Sequence, residues 1–330
     1  MKKIFIICVS ALAITLTSCE DWFDISAKSE LKADDLLNNE QGYRDALIGC
    51  YASMKSKNLY GAQLTMTYLD CLSQYYSTAN NAQNSFYYAA KYDYANTKEE
   101  KRKDEIWKDQ YNVIANVNSL VNRIDKSKDV FSTGVYALLK GEALGIRAFL
   151  HFDLLRMFAP SPSMTDGLQA KAIPYVDRFT NALYAQLSTE QVLDRVVKDL
   201  VEAREMLKDV DPYGPKHANY DLKALEGVWK GREFRMNYYA ATALMARVLL
   251  YRGHPEDKEK AFQYAKEVID SGLFPLITSS EIKSSEDNGF VRENIFSLEH
   301  TSLKDDIVDN YFVVDERAYN FLALNKRTLK

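Results

Sequence analysis

The sequence predicts an all-α protein, an α-solenoid of paired helices joined by long irregular loops. Three observations predict it. Apolar residues recur at three- and four-residue steps in segment after segment from Asn39 to Ser271, the period of a helix that buries one face. Alternating, strand-like runs are few. The last clear segments read as helix, short turn and helix, with small residues at their contacts, which is the unit that solenoids stack.

The chain opens with Lys2 and Lys3 and a weakly polar to apolar run from Ile4 to Leu16. A spanning helix needs about 20 apolar residues, so this run is too short to cross a bilayer. It fits the apolar region of an export signal. Leu16, Thr17, Ser18 and Cys19 follow directly. A Leu, two small residues and a Cys match the site where bacterial lipoprotein peptidase cuts and leaves a diacylated cysteine. Residues 1–18 therefore read as a lipoprotein signal peptide and Cys19 as the lipidation site. An ordinary secretory signal with an incidental Cys19 is the alternative. Each buried CH₂ contributes about 0.8 kcal/mol, so two or three acyl chains hold a protein at a membrane almost permanently. Residues 19–38, with Glu20, Asp21 and Asp24, read as a solvated, lipidated tether.

From Asn39 the helices begin. Tyr43, Leu47, Cys50, Tyr51 and Met54 share a face behind Asn39 as cap, a residue type whose side chain accepts a free first-turn N–H. A second helix is expected from about Asp104 to Asp125, with Trp107, Tyr111, Ile114, Val121 and Ile124 along one side. Asn118 falls in that stripe and reads as an interhelical hydrogen-bonder. Residues 135–158 are apolar nearly all round, as in a central helix. Gly141, Gly145 and Ala148 lie on one of its faces and admit a close neighbour; Pro160 and Pro162 follow its end. Ser188 and Gln191 have the spacing of a capping box before Val192, Leu193, Val196 and Leu200. The last pair runs from about Met236 to Arg252 and from Asp257 to Ser271, with Gly253 and Gly272 as C-terminal caps. With Ala246, Ala261 and Ala265 at its contacts, this pair is tetratricopeptide-like. Segments 59–103, 159–187 and 211–235 look irregular, a length of loop that is often functional.

Charge and composition narrow the function. Cleavage after Ser18 removes two lysines and no acid, moving the formal charge from −4 to −6 over 312 residues. That leaves no electrostatic case for nucleic acid. Cys50 and Cys71 read as unpaired thiols, Cys50 on an apolar helix face, although an oxidising compartment permits a disulfide. No GxSxG elbow, HExxH, phosphate-binding glycine loop or CxxC pair occurs. The histidines, 151, 217, 254 and 300, are far apart, and His151 lies in the most apolar helix as a core residue. Neither a catalytic set, a metal site nor a cofactor is expected. Glu142 and Asp153 cannot be assigned as glycosidase acids without geometry.

These segments together resemble the SusD/RagB family of Bacteroidetes outer-membrane lipoproteins. The resemblance rests on CEDWFD at 19–24, GYRDALIGCYASM at 42–54 and WKDQYNVIANVNSLVNRI at 107–124. It continues through GEALGIRAFLHFDLLRMFAP at 141–160, AIPYV at 172–176 and ALMARVLLYRG at 243–253. AKEVIDSGLFPL at 265–276 and ENIFSLEH at 293–300 complete it. It implies an outer-membrane surface protein, not an enzyme, built on tetratricopeptide-like pairs. Such a protein binds an oligosaccharide or another nutrient and hands it to a TonB-dependent transporter of the SusC type. Family members continue well past ENIFSLEH, whereas this sequence stops at Lys330. Residues 39–304 are therefore expected to form the SusD-like helical domain. Residues 305–330 read as an apolar tail leading into a missing or shortened C-terminal region. That predicts an incomplete glycan site and a tail that is protease-sensitive or self-associating unless it docks.

The ligand signal is aromatic. Between Tyr60 and Tyr94 stand Tyr68, Tyr75, Tyr76, Phe86, Tyr87, Tyr88 and Tyr92, interleaved with Asn80, Asn81, Gln83 and Asn84. Sugar rings have apolar faces and polar edges, so a site for them combines flat aromatic platforms with amides and carboxylates. The candidates are Asp70, Tyr75, Tyr76, Asn80, Asn81, Phe86, Tyr87 and Tyr88; the competing expectation is that about half of the tyrosines pack the loop onto the helices. Trp107 and Trp229 read as structural. The other function considered is a lipid-anchored helical-repeat scaffold that binds protein or peptide.

Overall fold

The computed structural model describes residues 35–78, 81–284, 289–312 and 322–324. Cys19, the leader, most of the tether, Asn80 and residues 313–321 lie outside the described residues.

The helices stack in chain order. They are α1 (Glu40–Met54), α2 (Tyr68–Leu72), α3 (Thr97–Ile124), α4 (Val135–Phe158), α5 (Thr189–Leu207), α6 (Tyr238–Arg252), α7 (Pro255–Asp270) and α8 (Ser279–Ser284). The main packing pairs are α1 with α3, α3 with α4, α4 with α5, α5 with α6 and α6 with α7. Each helix thus meets mainly its neighbours, as a solenoid requires. Among the described residues the only strands are β1 (Tyr76–Thr78) and β2 (Leu322–Leu324), an antiparallel pair with Tyr76 opposite Leu324.

The caps form where the residue types place them. Asn39 Oδ1 accepts the Gly42 N–H at 3.0 Å. Ser188 and Gln191 close a reciprocal capping box, and Gly253 ends α6 with φ 79°, a left-handed turn that glycine enters without strain. One boundary differs. α3 begins at Thr97, two turns before the expected start, because Asn96 caps Lys98 N and Glu99 and Glu100 occupy the first turn. Acids favour that positive helix end, but those turns carry no apolar stripe, so periodicity could not reveal them. The irregular segment 59–103 also contains α2 and β1.

α4 is the axis of the stack. Its small face admits α5: a Cβ on Gly141 would lie 2.7 Å from Leu207 Cγ and 3.0 Å from the Ala203 carbonyl. A methyl there strikes backbone. At Gly145 the obstacle is the flexible Met236 side chain, 2.5 Å away at Cγ.

Two buried ionic networks tie the helices. Arg147 of α4 grips Asp199 of α5 through Nε at 2.6 Å and Nη2 at 2.8 Å, and donates from Nη1 to Asn118 Oδ1 at 2.9 Å. Asn118 in turn donates to the Val176 carbonyl at 2.8 Å, which confirms it as an interhelical bonder. His151 is fully buried and satisfied at both nitrogens. Nδ1 lies 2.9 Å from the Arg147 carbonyl, and Nε2 accepts the Val176 N–H at 3.0 Å. That fixes a neutral ring with its proton on Nδ1. The ring stacks on Tyr175 at 3.9 Å.

In the second network Arg232, on the loop before α6, is fully enclosed with two acids. It binds Glu142 of α4 through Nη1, and Asp211 through Nη2 at 2.8 Å. Tyr51 of α1 donates to Glu142 at 2.7 Å and accepts the Met236 N–H at 2.8 Å. Asp211 also accepts the Tyr238 N–H at 3.1 Å, at the start of α6. One guanidinium thus joins α1, α4 and α6.

Cys50 and Cys71 are free, buried thiols, and burial pushes both up to about 12. The expected unpaired reading holds. The tail does not hang loose where it is described. The π-helical turn Lys304–Phe312 buries Ile307, and Leu322 is buried as well. Phe312 meets Tyr76 edge-on at 5.3 Å, and Tyr311 meets Phe86 at 5.7 Å. These residues dock on the aromatic segment, so docking is the outcome the described tail residues support.

Candidate functional site

The aromatic segment divides into packing and exposed residues. Phe86 is fully enclosed between Tyr311 and the Arg102 guanidinium, 4.7 Å from its ring. It presents no face to a ligand, which corrects its place among the candidates. Tyr76 is half-buried against Phe312, and its hydroxyl bonds Asp70. Burial raises the Asp70 carboxyl above its ordinary value, against the pull of that bond. Tyr87 and Tyr88 are half-buried and pack edge-on at 5.1 Å. Lys91 lies 3.9 Å from the Tyr87 ring, and Lys98 lies 5.8 Å from that of Tyr88. Asn81 is exposed and accepts the Gln83 N–H at 2.9 Å. Tyr75 is half exposed at 51%.

Two further tyrosines stand at the surface, Tyr92 and Tyr94, with ring centroids 6.3 Å apart. The Tyr92 hydroxyl donates to the Leu72 carbonyl at 2.9 Å, pinning it to the end of α2. Tyr92 itself takes φ 57°, a left-handed conformation that a bulky residue holds only when its surroundings impose it. Lys103 of α3 holds Tyr94 by donating to its carbonyl at 3.0 Å.

Tyr94 is one wall of a cleft of about 820 Å³. Tyr68 and Leu72 of α2 form the adjoining wall, and Phe158 and Tyr251 extend the apolar surface from α4 and α6. Polar groups come from Lys103, Asp153, Arg156 and Ser161. Arg156 holds Asp153 at 3.0 Å while the Tyr60 hydroxyl donates to its other oxygen at 3.0 Å. Burial raises the Asp153 carboxyl, opposed by Arg156 and Tyr60. An exposed aromatic face beside fixed donors and acceptors suits a polyhydroxylated ring, whose faces stack and whose edges hydrogen-bond.

None of the seven described sequence candidates lines this cleft, and Asn80 lies outside the described residues; residues beside them do line it. Tyr94 belongs to the same aromatic run and could have been chosen from it. Arg156, Asp153 and Tyr251 come from helices with no ligand signal of their own. Glu142 and Asp153 stand eleven residues apart on α4, about 16 Å at 1.5 Å per residue. The acids of a glycosidase stand within about 10 Å, so this pair cannot serve as one. Trp107 packs between Tyr111 and Phe158, at 4.9 and 5.1 Å, as a structural residue.

Comparison with known proteins agrees with the fold. Residues 21–250 match the SusD-like family described as "Starch-binding associating with outer membrane". A SusD-like protein P25 of Formosa agariphila is 25% identical over 217 residues, covering 64% of this chain and 39% of that protein. A SusD superfamily protein of Bacteroides thetaiotaomicron superimposes with TM-score 0.64 at 21% identity, over 88% of this chain and 61% of that one. A SusD-like carbohydrate binding protein of Bacteroides vulgatus gives TM-score 0.64 at 19% identity, over 86% and 57%. This chain therefore spans less than two thirds of the length of each of these relatives. The family match covers most of the chain, and the helical stack is the one these structures share: the protein belongs to the SusD-like family.

Proposed function

We propose that the protein is an outer-membrane surface lipoprotein that binds a glycan or related nutrient and delivers it to a SusC-like TonB-dependent transporter. The observation that carries the binding step is the cleft beside α2, which exposed Tyr94 lines together with Lys103, Arg156 and Asp153. Tyr75 and Tyr92 are further exposed rings of the same segment, and Asp70, Tyr76, Asn80, Asn81, Tyr87 and Tyr88 remain candidates from the sequence. The transporter partnership rests on family membership. The anchor rests on Cys19 at the end of the apolar run.

Titration of the purified protein with soluble glycans, maltohexaose first, tests the binding reading. Stacking contributes about 0.5–1.5 kcal/mol per ring, so Tyr94→Ala should weaken binding up to about ten-fold with helical content unchanged. Absence of saturable binding by every glycan tried would end this reading. The anchor has its own test. Cys19→Ala should abolish fatty-acid labelling and release the protein from membrane fractions; unchanged labelling refutes lipidation at Cys19.

The second reading, a lipid-anchored scaffold for protein or peptide, has one observation in its favour. Phe262 and Ile269, seven residues apart on α7, are 59% and 76% exposed. Such a stripe suits a protein partner. Glycan binding that is lost in Tyr94→Ala separates the two.

A further inference from the structure

A separate cavity of about 630 Å³ opens between α4, α6 and residues 293–303, and it shares no lining residue with the cleft. Its wall is mainly hydrocarbon and aromatic. Phe149 stands between Tyr60 and Phe296, with ring centroids 5.2 and 5.5 Å away. Met236 and Leu244 continue the apolar surface. A polyhydroxylated ring would leave most of its hydroxyls unpaired there, at a cost for each one desolvated. An apolar body fits, and the volume lies within the range of small-molecule sites.

The charges at this cavity are two cations, Arg247 and Lys55, and one acid, Glu293. Arg247 and Lys55 both line it and are both exposed, which places them at its rim. The Arg247 guanidinium lies over the Phe152 ring at 5.9 Å. Among the described residues, neither it nor the Lys55 ammonium makes a hydrogen bond or an ion pair within 4 Å. The acid that lines the cavity, Glu293, accepts the Ile277 N–H instead. His300 faces Asp306 at 4.0 Å. Arg247 feels the Asp153 carboxylate only at longer range, so in a protein of net charge −4 two cations at this cavity keep their hydrogen-bonding groups free for a ligand.

We propose that this cavity binds an amphipathic carboxylate, with an aromatic or short acyl body on Tyr60, Phe149 and Phe296 and its carboxylate on Arg247, with Lys55 beside it. A guanidinium matches a carboxylate in a two-point fork. The cavity shares no lining residue with the glycan cleft, so loss of glycan binding and loss of carboxylate binding are separate results.

The probe is 4-phenylbutyrate, with its uncharged amide as control, titrated calorimetrically into the purified protein. A charge-assisted bond in place of a neutral one makes the acid about ten-fold tighter than the amide. Arg247→Gln should bring the acid down to the amide's affinity and leave the amide unchanged. Ala243→Phe, which fills the cavity from α6, should abolish both. Maltohexaose should not compete. Equal affinity for acid and amide, equal loss of both in Arg247→Gln, or competition by maltohexaose overturns the proposal. So does a failure of the acid to saturate at about 10 mM, where even a site with a Kd of about 1 mM is mostly filled.

Discussion

Arg232→Met should destabilise the protein by about 3–5 kcal/mol, the cost of leaving buried charge without its partner. The substitution removes the cation between Glu142 and Asp211 and keeps most of the volume. Both acids stay enclosed, Glu142 beneath Tyr51 and Asp211 at the head of α6. Urea unfolding followed by far-ultraviolet circular dichroism measures the loss. Adding Glu142→Gln and Asp211→Asn to Arg232→Met should recover part of it, because neutral amides remove the unpaired charge. A loss below about 1 kcal/mol would match an ordinary surface contact and would show that the network does not tie the helices. A large loss without recovery in the triple variant would assign the cost to packing instead of charge.

His151 should make the protein acid-sensitive well above the carboxylate range. Burial holds its imidazole down at about 3, against 6.5 when exposed. The unfolded chain then binds the proton first as the pH falls, so the ring's contribution is complete above 6.5 and is lost progressively toward 3. At pH 5 the unfolded form has gained about 1.5 pH units of protonation, or about 2 kcal/mol. His151→Gln removes that term. The variant should be less stable than the parent at pH 7.5, and the gap should shrink by about 2 kcal/mol by pH 5. Subtracting the two proteins cancels the other titrating groups, including Asp153 and Asp70, whose raised values act in the opposite sense. A gap that stays constant between the two pH values would rule His151 out as the acid-sensitive group.

Much of the fold was legible because its signals are local. Asn39, Ser188 and Gly253 act within a turn or so of where they stand, and Gly141 lies on a face that periodicity defines. Core placement of Asn118, His151 and Cys50 followed from the same periodicity, whereas Cys71 lies in a segment read as irregular. What could not be read depends on distant pairing. Arg232 sits in a segment without pattern, 90 residues from Glu142, and no local rule connects the two. The β1–β2 pair joins Tyr76 to Leu324, and neither three-residue piece signals a strand. The site was legible as a region and not as a set of residues. Composition located the aromatic run, but burial decides which rings remain available. It enclosed Phe86 and left Tyr94 out, and the polar half of the cleft came from α3 and α4.

The position of that run within the fold bears on how such proteins diversify. Residues 55–96 leave at the end of α1 and return at the start of α3, and these two helices pack against each other. The excursion therefore starts and finishes on a closed seam of the scaffold. Closing a loop costs free energy that grows only with the logarithm of its length, about 0.6 kcal/mol per doubling. Changes at its exposed positions, such as Tyr75 and Tyr94, cost the helical stack little, whereas Leu59, Tyr68 and Phe86 are buried in the core and are held in place. The exposed rings of the stretch can therefore change faster than the core residues beside them. Across homologues, the stretch between these two helices should vary in length and ring content far more than α4 varies in anything.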